Sequence, residues 1–73
     1  MALREQAKAN GYIERLEGWP KKEDGITIRC MVKSLLNYPN EPPLLFIAEK
    51  DSIEAFGTTL DEVHQKLSEA MRK

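Results

Sequence analysis

The stretch Ile26-Thr27-Ile28-Arg29-Cys30-Met31-Val32-Lys33 decides the fold. Its side chains alternate between two faces, so Ile26, Ile28, Cys30 and Val32 share one side of an extended chain while Thr27, Arg29, Met31 and Lys33 share the other. Alternation of this kind is the mark of a half-buried strand, and such a strand needs a neighbour along its edge and a cover over its apolar side.

Both requirements are met further along the chain. Residues 44–49 resume as a strand whose first five side chains, Leu44 to Ala48, are apolar on both faces. Lys50-Asp51-Ser52 makes a polar turn, and residues 53–56 fit a short third strand ahead of Gly57. Pro39, Pro42 and Pro43 cannot donate to a ladder, so residues 35–43 read as a long, proline-stiffened connection.

The cover is predicted at the two ends of the chain. Thr59 followed by Glu62 forms a capping box, and Leu60, Val63, Leu67, Ala70 and Met71 make an apolar stripe at helical spacing behind it. Residues 2–17 also read as a helix, with Ala2, Ala9, Tyr12, Ile13 and Leu16 in one sector. Asn10-Gly11 offers an alternative, because that dipeptide ends helices and would free residues 12–17 as an edge strand. Gly18-Trp19-Pro20 ends the element in either case, and residues 21–25 read as an exposed turn.

The expected fold class is therefore α+β: a single domain running helix, three-stranded antiparallel sheet, helix (αβββα), with both helices on one sheet face. If Ile26, Ile28, Cys30 and Val32 face those helices, the opposite side carries Met31 and alternate residues of 44–48. That side is then more apolar than a monomer needs, unless the opening segment or the proline-rich connection folds over it. Trp19, Met31, Tyr38 and Phe46 are the side chains suited to anchor a partner there or on the adjoining loops.

Composition narrows the function. A chain of 73 residues builds one core and has little interior to spare for an enclosed active site. Its single cysteine has no partner within the chain and no leader precedes it, so a reducing cytoplasm is the expected compartment. The longest apolar run, residues 42–48, falls far short of the roughly 20 residues that span a bilayer as a helix. Ala2 and the ending Ala70-Met71-Arg72-Lys73 match no common lipidation signal. Eleven basic against twelve acidic side chains give a net charge of -1, which neither draws in phosphate backbones nor mimics them.

Acid–base or nucleophilic catalysis needs groups that converge, and the chain has one histidine and one cysteine on different elements. Cys30 falls on the apolar phase of its strand and reads as a packed thiol, while His64 flanks the stripe of the last helix. One histidine and one distant cysteine do not make a zinc site, and Gly11, Gly18, Gly25 and Gly57 are too dispersed to cradle a phosphate. No enzyme activity, cofactor or metal is expected.

The αβββα order is shared by double-stranded RNA binding domains, so a nucleic-acid module is the first alternative. The last helix opens Leu60-Asp61-Glu62, however, and its two carboxylates stand where a phosphate would approach. A second resemblance covers residues 44–63. Phe46-Ile47-Ala48-Glu49 followed by Gly57-Thr58-Thr59-Leu60-Asp61-Glu62-Val63 resembles the strand-to-helix corner of HicB-type antitoxins. That family's small sheet covered by a helix oligomerises and binds a toxin, which implies an inhibitory role here. The family's proline-glycine turn before its third strand is missing, and residues 2–17 have no counterpart in it. The expected function is thus a non-catalytic module that binds another protein, as an inhibitor or antitoxin-like regulator, with a homodimer among the arrangements that would serve. A small structural protein of a phage or bacterium is the remaining alternative.

Overall fold

The computed structural model describes residues 3–33 and 44–72, in the order α1 (Leu3–Ala9), β1 (Ile13–Arg15), β2 (Lys21–Glu23), β3 (Ile26–Val32), β4 (Leu44–Lys50), β5 (Ile53–Gly57) and α2 (Leu60–Met71). The α+β class is as expected; the sheet has five antiparallel strands rather than three. The 35–43 connection and Tyr38 lie outside the described residues.

β3 is the organising strand. It pairs with β4 from Thr27↔Glu49 to Val32↔Leu44, and β4 pairs in turn with β5 from Phe46↔Gly57 to Lys50↔Ile53. The other side of β3 is shared by two short strands. β1 takes one half (Ile13↔Val32, Arg15↔Cys30) and β2 takes the other (Lys21↔Ile28, Glu23↔Ile26). Two-residue turns close the β2–β3 and β4–β5 hairpins, with Asp24 and Gly25 in one and Asp51 and Ser52 in the other all at positive φ. That is the turn geometry whose twist matches antiparallel strands.

Three expectations are corrected. Helix 2–17 is not continuous: α1 stops at Ala9, Gly11 takes φ 95°, and Ile13–Arg15 forms the edge strand that the Asn10-Gly11 alternative allowed. Pairing with the open side of β3 outweighs the helix propensity of these residues, because the ladder satisfies backbone groups that an isolated helical turn would leave to water. Residues 21–25 are not a plain turn, since Lys21–Glu23 makes β2. All three of its side chains are exposed, so no apolar alternation announces it.

The third correction concerns the layers. The helices lie on opposite faces of the sheet. α2 packs Val63 and Leu67 against Ile28, Ala48 and Ala55, with Trp19, Ile26, Phe46 and Ile53 around them. α1 and the following turn pack Ala7 and Tyr12 against Met31 and Ile47, with Leu3 and Leu45 alongside. Each face of β3 and β4 is therefore covered, which explains why the apolar residues of 44–48 occupy both phases.

The expected Thr59–Glu62 cap forms with its reciprocal bond shifted by one residue, to the N–H of Thr58 rather than that of the N-cap Thr59. Glu62 donates its backbone N–H to Thr59 Oγ1 at 3.1 Å, and the Glu62 carboxylate accepts from the Thr58 N–H at 2.8 Å. Thr59→Ala is expected to destabilise the fold by about 1 kcal/mol, seen as a lower urea midpoint at unchanged slope. No loss in that measurement would show that the cap contributes nothing.

Candidate protein-binding surface

Met31 is not available to a partner. It has no exposed surface, lying beneath Ala7 and Tyr12 on the α1 side, so the greasy face expected to be open is shielded by the opening segment of the same chain. Phe46 is half-buried on the α2 side, where its ring centroid lies 5.6 Å from that of Trp19. Trp19 is itself half-buried and packs on the core, with the Lys21 ammonium 4.9 Å from its ring centroid. Trp19 thus closes the part of the α2 side that α2 does not reach, as a core plug with an exposed margin.

Beyond that plug, apolar surface remains in water. Ile13, Val32 and Leu44 stand opposite one another across β1, β3 and β4, so they form one row on the α2 side. Ile13 is 73% and Leu44 37% exposed, and Val32 is half-buried. Leu60, 42% exposed, opens α2 at this same end of the sheet, because β5 delivers the chain to α2 from Gly57 opposite Phe46. Leu16, 72% exposed, follows β1 on the side away from that end. The row of Ile13, Val32 and Leu44 with Leu60 near it gathers aliphatic surface that ordinary monomers scatter.

One basic group adjoins this end: Arg15 occupies the next row of the same face, opposite Cys30, while Asp61 and Glu62 follow Leu60 in the first turn of α2. Sequence reasoning missed Ile13, Val32 and Leu44 as a group, since they lie in three separate strands and only the register aligns them.

The rest of the chemistry is quiet. Cys30 is buried and burial raises its thiol pKa, with Arg15 acting in the opposite direction, so it rests as a neutral thiol. His64 is exposed on α2. Two clefts flank α1. One of about 110 Å³ is lined mainly by Leu3, Ala7, Tyr12, Leu45, Ile47 and Phe56; the other, of about 160 Å³, by Arg4, Glu5, Arg29, Glu49 and Glu54. Neither contains Cys30 or His64. Glu14 bridges two arginines beside the charged cleft, with Arg4 Nε and Arg29 Nη1 each 3.3 Å from one of its carboxylate oxygens. Among the described residues no group of three or more ligating side chains converges on a metal position, and no helix is long and apolar enough to cross a membrane.

Comparison with protein-family models, curated proteins and solved structures found no match. The residues behind the HicB-type resemblance have local explanations. Thr59 and Glu62 cap α2, and Gly57 sits where an added Cβ would come within 2.8 Å of the Val63 backbone nitrogen.

Proposed function

We propose that the chain is a non-catalytic interaction module that binds another protein, as an inhibitor or antitoxin-like regulator. The observation that carries this reading is the exposed aliphatic row of Ile13, Val32 and Leu44, with Leu60 at the same end of the sheet and Arg15 in the next row. Burying such side chains contributes about 25 cal/mol per Å² of apolar area, and a few central anchors dominate most interfaces. The partner presents apolar anchors to this row, with an acidic group facing Arg15. The antitoxin form of the proposal rests on the likeness of residues 44–63 alone.

The test compares the native sequence with Ile13→Lys, Leu44→Lys and their combination, each confirmed folded by circular dichroism. Affinity capture is paired with light scattering of the purified chain, which tells a foreign partner from a second copy. The double variant is expected to lose at least tenfold in affinity for a stoichiometric partner, equivalent to about 1.4 kcal/mol, while His64→Ala binds normally. Undiminished binding by the double variant, or a native chain that stays monomeric and captures nothing, overturns the proposal.

A further inference from the structure

We propose that α1 is a releasable cover, which closes the Met31, Leu45 and Ile47 face of the sheet at rest and lifts from it without unfolding the remainder. This inference concerns the opposite face from the Ile13–Leu44 surface and does not depend on the function proposed for that surface.

The first argument is the helix itself. α1 has seven residues, too few to persist without tertiary support, since isolated helices shorter than about 12 residues are marginal in water. Its grip on the sheet is slight. Ala7 is its one buried residue, Leu3 is half-buried, and the Leu3 N–H reaches Glu54 Oε1 only at a long 3.4 Å. The apolar cleft of about 110 Å³ beside α1 shows that the small side chain of Ala7 leaves the face incompletely filled. α2 is anchored very differently, with twelve residues, two fully buried aliphatics and a satisfied cap.

The second argument is what α1 leaves behind. When it lifts, Glu14 loses Arg4 but keeps Arg29, so no carboxylate is stranded without a cation. β1 remains paired to β3 through Ile13↔Val32 and Arg15↔Cys30, and Gly11, already at φ 95°, lies at the joint between α1 and β1. The motion gives up the Arg4–Glu14 pair, the Leu3–Glu54 bond and the Ala7 packing, and needs none of the central ladder to open.

Neighbouring residues on β3 supply the test within the native chain. Met31 lies under Ala7 of α1 and under Tyr12, so lifting α1 removes part of its cover, while Cys30 is buried on the opposite face. Peroxide oxidation of Met31 and iodoacetamide alkylation of Cys30 are followed by mass spectrometry across low urea concentrations. Each rate is divided into its value in the unfolded chain to give a protection factor. Met31 is expected to be at least tenfold less protected than Cys30, with a shallower urea dependence, because lifting α1 exposes less surface than unfolding. Arg4→Ala should speed Met31 oxidation about two- to fivefold, the effect of one partly exposed ion pair, and leave Cys30 unchanged. Equal protection and equal urea slopes for the two residues overturn the proposal, as does a Met31 rate indifferent to Arg4→Ala.

Discussion

Replacing Leu67 by alanine is expected to destabilise the protein by about 2–5 kcal/mol, the range measured when a buried leucine is truncated and its surroundings relax only partly. Leu67 is 1% exposed and joins Val63 against Ile28, Ala48 and Ala55, so it ties α2 to β3, β4 and β5 at once. A domain of 73 residues has a net stability of roughly 4–11 kcal/mol. Leu67→Ala therefore removes a large fraction of the total, and a marginal variant will be partly unfolded at ambient temperature. Urea titration followed by the fluorescence of Trp19, whose indole packs against the same cluster, measures the loss directly. A loss below about 1 kcal/mol would mean that α2 does not seat on this core.

Gly57→Ala is expected to be nearly as damaging, for a different reason. The new Cβ would stand 2.8 Å from the Val63 backbone nitrogen and 3.0 Å from Glu62 Cγ and Oε1. A flexible side chain can swing aside, but the Val63 nitrogen belongs to the first turn of α2, so the helix must move away from β5. Overpacking of this kind costs about 1–3 kcal/mol, and here the cap bond from the Thr58 N–H to Glu62 is strained as well. Calorimetry should show a melting temperature lower by about 4–8 °C for each kcal/mol lost. An unchanged melting temperature would show that α2 has room to shift.

Much of the architecture is legible in the sequence because β3, β4 and α2 have local patterns that agree with their tertiary surroundings. The alternation of residues 26–32 sets which side chains face α2 and which face α1, and Thr59 announces the start of α2 by accepting the Glu62 N–H. The two short strands are different. β2 exposes every side chain, and β1 alternates over three residues only, so each exists because β3 offers unpaired backbone groups, a property of the partner rather than of the segment. The position of α1 was open for a similar reason. Both phases of residues 44–48 are apolar, which demands two covers but does not say which segment supplies the second.

That ambiguity moved the candidate site. Met31 and Phe46 share neither a face nor an environment, since β3 and β4 pair Met31 with Leu45 and Phe46 with Cys30. The surface that remains open is assembled by register from single residues, none of which stands out in its own segment.

The far rim of the sheet carries one further device. Phe56 of β5 lies on the α1 side, opposite Ile47, yet the Lys66 ammonium of α2 comes around the outermost strand to within 5.1 Å of its ring centroid. Any extraneous strand attempting to lengthen the sheet there would have to displace a hydrated positive charge before gaining a single ladder bond. A lysine in that place works as a bumper on the rim, turning away chains that would otherwise dock edge to edge.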